Sequence, residues 1–92
     1  MRLKSYPDCI MYLNNEGTCL AQIEFPEVEK GRVVDISRTY VDDSLRGKGV
    51  AGILMEACVE TLEREGLLAR TSCSYAQHWF EKHPEKAHLL DK

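Results

Sequence analysis

The first part of the chain consists of short hydrophobic segments separated by polar turn residues, a pattern typical of β-strands joined by tight turns. Asp8–Leu13 and Thr18–Phe25 are rich in strand-forming residues, and Asn14–Gly17 supplies a hairpin turn between them. Pro26 closes the second strand. Hydrophobic and polar residues alternate through Arg32–Val41, which predicts a third antiparallel strand. The side chains expected on one of its faces are Val34, Ile36, Arg38 and Tyr40.

The second half of the chain carries a helical pattern. From Val50 onward, hydrophobic residues recur at spacings of three and four, which predicts a long amphipathic helix ended by Gly66. Leu67–Cys73 predicts a fourth strand, Ser74–Lys82 a short helix, and Pro84–Lys92 one further helical turn. The order βββαβα defines an α+β fold in which an antiparallel meander precedes a long helix, a further strand and a short C-terminal helix.

Size and charge narrow the possible functions. The 92 residues predict a single domain spanning residues 1–92. A net charge of −3 without a basic stripe argues against a nucleic-acid partner. The hydrophobic runs are only a few residues long, so we expect no membrane span. Asp8 interrupts the N-terminal segment before any continuous hydrophobic stretch, which argues against a signal peptide.

The cysteine pattern indicates a reducing compartment. Cys9, Cys19, Cys58 and Cys73 form no C-x-x-C pair and no closely spaced disulfide framework. We therefore expect free thiols, no metal site and a cytoplasmic protein.

The glycine-rich segment Gly47–Gly52 is a literal G-x-G-x-x-G and could belong to one of three kinds of phosphate-binding loop. A nucleoside-triphosphate loop needs Ser or Thr directly after its lysine, whereas Gly49 follows Lys48. A dinucleotide loop starts directly off its strand and is followed about 20 residues later by an acid. Here Asp42–Arg46 intervenes, and no acid follows at that distance.

The third interpretation shifts the motif by one residue. Arg46–Ala51, "RGKGVA", is R-x-x-G-x-A. Backbone N–H groups at a helix N-terminus can surround a pyrophosphate, because glycine has no side chain in the way and the helix dipole favours negative charge. With a strand before it and a long helix after it, the segment resembles the acyl-CoA loop of the GNAT superfamily of N-acetyltransferases.

A longer resemblance points to one branch of that superfamily. "TYVDDSLRGKGVAGILMEACVETLEREGL" and "TSCSYAQHWFEKHPE" are similar to small single-domain members, and the resemblance covers Val33–Glu85. It implies a truncated GNAT fold without the elements that shape the acceptor site in larger members. It also implies acetyl-CoA or coenzyme A as cofactor, and transfer of an acetyl group to an amine of a small molecule or peptide.

The resemblance assigns site residues. Those implied to bind the cofactor are Tyr40, Val41, Arg46, Gly47, Lys48, Gly49, Val50 and Ala51. Backbone groups of the strand before the loop are implied to pair with pantetheine. The branch often has histidine at Arg38 and an acid at Tyr40, so both departures put an orthodox general base in doubt.

Three residues are candidates for the chemistry. Cys73 directly precedes a helix, where helix dipoles favour a nucleophilic thiolate; the alternative is a small buried filler. Tyr75 resembles the tyrosine that protonates the departing CoA thiolate in larger relatives; the alternative is packing. Asp35 is the acid on the third predicted strand and a candidate base, or a solvated or paired carboxylate.

Three functions therefore stay open. The first is an acyl-CoA-dependent N-acetyltransferase that uses Cys73 and Tyr75. The second is a CoA- or acyl-CoA-binding module with little or no catalytic activity, and the third is an interaction domain that binds no cofactor. The acidic residues Glu56, Glu60 and Glu63 form a solvated helix face or attract a cationic amine.

Overall fold

A computed structural model describes residues 2–91, and its strands and helices confirm the predicted α+β class. Met1 and Lys92, which the predicted domain includes, lie outside the described residues. In chain order the strands are β1 (Arg2–Tyr6), β2 (Cys9–Leu13), β3 (Cys19–Glu24), β4 (Glu27–Glu29), β5 (Val33–Asp35), β6 (Arg38–Val41) and β7 (Leu68–Arg70). The α-helices are α1 (Val50–Glu65) and α2 (Ser74–Lys82), and two 3-10 helices span Asp43–Leu45 and Pro84–Leu89.

The strands form two sheets. The larger is antiparallel with the order β1-β2-β3-β6, and the smaller has the order β4-β5-β7, in which β5 and β7 run parallel. In the turn between β2 and β3, the side-chain oxygen of Asn14 accepts the N–H groups of Glu16 and Thr18, both at 2.9 Å. This side-chain turn fixes the predicted hairpin, which is confirmed.

The predicted third strand, Arg32–Val41, is in fact two strands that belong to different sheets. Its first part, β5, pairs with β7, and its second part, β6, pairs with β3. The change occurs at two adjacent residues: the N–H of Ile36 donates to the Arg70 carbonyl at 2.9 Å, whereas that of Ser37 donates to the Glu24 carbonyl at 3.0 Å. The chain therefore leaves one sheet for the other at this point.

The division of this strand also changes which side chains face the core. Val33, Val34 and Ile36 are all at most 1% exposed, whereas Arg38 and Tyr40 lie on the surface. The expected common face of Val34, Ile36, Arg38 and Tyr40 is therefore wrong. A simple alternation holds only along one continuous, half-buried strand, and β5 is covered on both faces.

Two strands were missed by the hydrophobic pattern. All five residues of β1 are exposed, and β4 has two exposed residues out of three, so neither carries a buried face that a sequence pattern could indicate. Pro26 does lie beyond the end of β3, but β4 begins immediately after it. The predicted fourth strand, Leu67–Cys73, shortens to β7.

Helix α1 contributes six buried residues to the core. Its buried residues are Val50, Leu54, Met55, Cys58, Val59 and Leu62, and they pack against the larger sheet. Gly66 has a φ of 71° and its N–H donates to the Leu62 carbonyl, so the predicted helix stop is confirmed. Burial raises the pKa of the Cys58 thiol to about 12, which is typical of a thiol in the core.

The C-terminal region follows the prediction closely. Helix α2 has the predicted bounds, and Pro84–Leu89 forms the further helical turn as a 3-10 helix. Within the described residues, no helix is long and apolar enough to cross a membrane.

Candidate functional site

The division between β5 and β6 creates a gap in the sheet. Among the strands, β7 pairs with β5 and not with β6, so β6 forms a free edge of the larger sheet. Two backbone hydrogen bonds close the base of the gap: the Ile36 N–H donates to the Arg70 carbonyl, and the Cys73 N–H donates to the Ile36 carbonyl at 3.0 Å. A cavity of about 430 Å³ lies between β6 and the start of α1. Its lining residues are Thr39, Val41, Leu45, Arg46, Gly47, Gly49, Val50, Ala51, Gly52 and Tyr75.

The glycine loop forms one end of this cavity. Gly47 and Gly49 have φ angles of 78° and 75°, in the left-handed region that side chains with a Cβ rarely adopt. Gly49 caps α1 without a side-chain hydrogen bond, and the first turn of the helix contains no acidic residue. Because the first N–H groups of a helix have no partner within it, this end of the cavity presents backbone donors and the positive end of the helix dipole.

The two basic residues of the loop are placed differently. Arg46 lines the cavity, and its guanidinium lies 2.8 Å from the Asp43 carboxylate in an ion pair that is largely exposed to solvent. Exposed ion pairs are weak, so the guanidinium can exchange Asp43 for another anion. Lys48 is exposed and does not line the cavity.

The free edge of β6 forms the wall of the cavity. The Asp42 N–H donates to the Leu20 carbonyl at 2.7 Å. Because residues two apart in an antiparallel strand direct their backbone groups to the same neighbour, Tyr40 also pairs with β3. The backbone N–H and C=O groups of Thr39 and Val41 therefore face the gap, and their side chains line the cavity.

Tyr40 lies away from the cavity. Its side chain is 38% exposed on the other face of β6, and its hydroxyl donates to the Asp42 carboxylate at 3.3 Å. The structure therefore does not bring this predicted residue to the site. Thr39, which sequence reasoning did not single out, takes the place beside the cavity. The signal was present in the alternation, since Thr39 and Val41 occupy the same face of the strand.

Cys73 lies at the base of the gap. It is half-buried and precedes the first residue of α2, with its sulfur 3.6 Å from the hydroxyl oxygen of Thr39. Burial raises the pKa of the Cys73 thiol, but the Thr39 hydroxyl and the backbone N–H groups of Ala76, Tyr75 and Thr39 outweigh it. The pKa is lowered as a result, as expected for a thiol at a helix N-terminus.

Tyr75 reaches the cavity from the first turn of α2. Burial, with smaller contributions from Glu56 and Cys73, raises the pKa of its hydroxyl. The phenol therefore stays protonated at neutral pH and is suited to donate a proton. A Cβ on Gly52 would lie 3.8 Å from the Tyr75 hydroxyl oxygen, so this glycine leaves the space beside the phenol open.

Asp35 does not line the cavity. Its carboxylate accepts the Ser72 N–H at 3.0 Å and the Ser72 hydroxyl at 2.6 Å. These two bonds connect the end of β5 to the segment before α2, so the carboxylate fixes the position of Ser72, the residue directly before Cys73. The structure places Asp35 in the paired role and not where a general base would meet a substrate.

The cavity lining contains neither a carboxylate nor an imidazole. Over residues 2–91, no group of three or more His, Cys, Asp or Glu side chains could hold a metal ion. The ring of His83 stacks on Trp79 with 3.8 Å between ring centroids and contacts the Trp79 carbonyl, so it supports the packing of α2.

Solved acetyltransferase structures share the fold of this chain. A GCN5-like protein from Staphylococcus aureus superposes with a TM-score of 0.78 at 29% identity, covering 98% of this chain and 87% of that chain. GCN5 from Tetrahymena shares the fold with a TM-score of 0.62 at 18% identity, covering 91% of this chain and 59% of that one. These similarities define the class as the GNAT acetyltransferase fold.

The chain belongs to the GCN5-related N-acetyltransferase family, whose family model matches residues 10–89. The resemblance noted from the sequence is thereby confirmed at the level of the family. The family model extends the match beyond Val33–Glu85, into the hairpin of β2 and β3.

Other relatives match a part of the chain. Protein NATD1 of Gallus gallus is 34% identical over 58 residues, which cover 63% of this chain and 53% of that protein. The Homo sapiens protein of the same name matches equally over 58 residues and is covered to 51%. The chain thus spans about half the length of these relatives. YhbS of Escherichia coli, solved in complex with CoA, shares the fold with a TM-score of 0.58 at 20% identity, covering 66% of this chain and 38% of that one.

Proposed function

We propose that this chain binds acetyl-CoA and transfers its acetyl group to an amine of a small molecule or peptide. The observation that carries the proposal is the course of the cavity. It runs from the backbone donors of Gly47 and Gly49, past the free edge at Val41, to Tyr75 beside Cys73. This course supports the proposal, because the two ends of one long substrate such as acetyl-CoA would lie along a single cavity.

The loop Arg46–Ala51 fits the pyrophosphate of coenzyme A. The N–H groups of Gly47 and Gly49 can donate to one anion, whereas that of Lys48 donates to the Leu45 carbonyl, and the N-terminus of α1 adds its positive dipole. Arg46 can exchange the exposed Asp43 carboxylate for a phosphate oxygen, whereas Lys48 contributes long-range attraction from the surface. The CoA-bound structure of YhbS, which shares this fold, supports the same ligand class.

The free edge of β6 fits the pantetheine arm. Pantetheine carries two amide groups, which can hydrogen-bond to a strand edge in the way that an added strand does. The backbone groups of Val41 face the gap and offer such a pair. Tyr40 would then contribute to the strand without touching the substrate.

Tyr75 fits the role of general acid. When the carbon–sulfur bond of the thioester breaks, the electron pair goes to the CoA sulfur, and the neutral phenol can protonate it. The amine nitrogen that forms the new bond to carbon loses its own proton to water, because no carboxylate or imidazole lines the cavity.

Cys73 opens a second route to the same product. Its thiolate can attack the thioester carbon, release the CoA thiolate and carry the acetyl group to the amine in a second step. The lowered pKa of its thiol and its place beside the cavity support this role. Direct transfer to the amine remains the alternative, in which Cys73 only shapes the site.

The second candidate function is a CoA- or acyl-CoA-binding module with little or no turnover. The observation that favours it is the absence of a carboxylate or imidazole from the cavity lining, with Asp35 held by Ser72. An enzyme of this class usually needs a base or a proton-conducting water for the amine.

Titration calorimetry with CoA and with acetyl-CoA tests both candidates. Binding at micromolar concentrations is expected, and no heat at high micromolar ligand would overturn both functions. Intact-mass spectrometry after incubation with acetyl-CoA then separates the routes, using Cys73→Ala and, as a matched control, Cys19→Ala, another half-buried thiol. An acetyl adduct that is lost only in Cys73→Ala supports the covalent route.

Two further outcomes are informative. Turnover on a panel of primary amines without an adduct supports direct transfer. Binding with neither turnover nor adduct supports the binding module and contradicts the acetyltransferase.

A further inference from the structure

Thr39 and Cys73 meet across the gap between β6 and α2, although they lie 34 positions apart in the chain. We propose that Thr39, which lines the cavity, is a positioning residue that holds the neighbouring Cys73 sulfur as a thiolate. The proposal rests on the function proposed above, in which Cys73 acts beside the thioester. No sequence motif indicated it, because the two residues come together only through the division of the sheet.

The geometry gives Thr39 two donors toward the same sulfur. Its hydroxyl oxygen lies 3.6 Å from the Cys73 sulfur, and its backbone N–H faces the gap because it points away from β3. The side chain of Thr39 also lines the cavity. One residue therefore contacts both the sulfur and the space where the substrate would lie.

The two protonation states of the thiol use the hydroxyl differently. A neutral thiol can donate its hydrogen to the Thr39 oxygen, but a thiolate only accepts hydrogen bonds. The Thr39 hydroxyl must then be the donor. Hydrogen bonds to charged groups are stronger than those between neutral groups, so the hydroxyl favours the thiolate. The direction of the Cys73 pKa, lowered despite burial, agrees with this.

The other groups near the sulfur act from three elements. From α2, the N–H groups of Tyr75 and Ala76 add to the stabilisation of the thiolate, and the Tyr75 phenol is neutral at physiological pH. From β5, Asp35 approaches the neighbouring Ser72 and is held by it. From α1, Glu56 faces Tyr75.

The pH dependence of thiol alkylation in the free protein tests the proposal. Iodoacetamide labelling of Cys73 is followed by peptide mass spectrometry, so that the other three thiols do not interfere. In Thr39→Val, which keeps the branched shape and loses the hydroxyl, we expect the half-point of the profile to rise by about one pH unit. At a pH below the pKa of the thiol in both proteins, the rate falls only about threefold, because a less acidic thiolate is intrinsically more nucleophilic, so the half-point is the decisive quantity.

Two control variants separate hydroxyl chemistry from folding. Thr39→Ser retains the hydroxyl, and its half-point should stay within ~0.3 unit of the wild type. Thr61→Val removes the hydroxyl of another half-buried threonine, which donates to the Ala57 carbonyl at 3.0 Å on α1, and should leave the profile unchanged. Labelling in denaturant should give one half-point for all variants.

An unchanged half-point in folded Thr39→Val would overturn the proposal, and so would a Thr39→Ser profile that matches Thr39→Val. If Thr39→Val does not fold, the Thr39→Ser and Thr39→Ala pair decides, since only alanine removes the hydroxyl. Failure here is distinct from failure of the proposed function, because labelling uses no acetyl-CoA. A protein that shows the shift but binds no CoA retains the Thr39 role and loses the acetyltransferase.

Discussion

The two ends of the cavity are built from different parts of the polypeptide. The end to which we assign the phosphates, which we call the phosphate end, consists mainly of backbone from one short segment, Arg46–Ala51, and it is open to solvent. The other end, to which we assign the thioester and which we call the reactive end, is lined by Thr39 of β6 and Tyr75 of α2, with Cys73 beside Thr39, and these residues are half-buried. One end thus depends on local conformation and the other on the tertiary fold.

This difference separates binding from chemistry. In the proposed function the loop holds an anion independently of Cys73, because its donors belong to its own backbone. The reactive end requires β6 and the start of α2 to be correctly placed relative to each other. An N-acetyltransferase and a CoA-binding module therefore differ at the second end alone, and variants of each end should change different measured quantities.

The largest expected effect comes from Tyr75→Phe at the reactive end. Loss of a general acid typically costs about 100-fold or more in turnover, whereas CoA affinity should stay within about twofold. Because the pKa of the Tyr75 hydroxyl is raised, the wild-type rate should fall only when alkaline pH deprotonates the phenol, and the variant should lack this fall. Release of the CoA thiol, followed with a panel of primary amines across a range of pH, measures the turnover and its alkaline fall.

Tyr40→Phe is the matched control for this change. It removes a tyrosine hydroxyl on the opposite face of β6, where Tyr40 contacts Asp42, and turnover should be unaffected. If Tyr75→Phe keeps the wild-type rate and its alkaline fall, the phenol only packs, and the proton for the leaving thiolate comes from elsewhere.

At the phosphate end, Gly49→Ala should weaken CoA binding by about tenfold. A residue with a Cβ in the left-handed conformation costs roughly 1–2 kcal/mol, so the loop would relax away from the geometry that directs its N–H groups to one anion. Calorimetry gives the affinity, and thermal unfolding gives the stability.

Gly31→Ala controls for the strain itself. Gly31 has a φ of 71°, similar to that of Gly49, and nothing lies within 4 Å of its added Cβ. It should lose comparable stability and bind CoA normally. Equal losses of affinity in both variants would mean that destabilisation, and not the loop, controls binding.

The conformation of the glycine loop was easier to predict from the sequence than the meeting of Thr39 with Cys73. A left-handed glycine before an amphipathic helix is a local pattern, so the glycine loop and the start of α1 could be placed without a structure. The class of fold followed from the same helix and the hairpin before it. The family resemblance carried the acyl-CoA interpretation further than the residues alone could.

The reactive end depends on the division of one predicted strand between two sheets, which a hydrophobic pattern does not indicate. Arg32–Val41 alternates as one strand would, yet consecutive N–H groups at Ile36 and Ser37 donate to different sheets. The choice is made by competing partners on β3 and β7, which are distant in the chain. The pairing of Thr39 with Cys73 and the capture of Asp35 by Ser72 follow from that choice.

Arg46→Ala should have the smallest effect, because the arginine adds to a cradle that the backbone already forms. Removing one exposed charge contact should weaken CoA binding by about threefold at low salt, and the difference should shrink as salt is added. Calorimetry at two ionic strengths measures both. Asp43 loses its ion pair in this variant, and its unpaired carboxylate repels the phosphates, which contributes to this loss of affinity.

Lys48→Ala is the matched control, since it removes one positive charge from the same loop at an exposed position outside the cavity lining. If the charge acts through direct contact, Arg46→Ala costs more than Lys48→Ala and part of its loss persists at high salt. If the two losses are equal and vanish together with salt, Arg46 acts only by long-range attraction. The loop would then contact the phosphates through its backbone alone, whereas the reactive end acts through side chains.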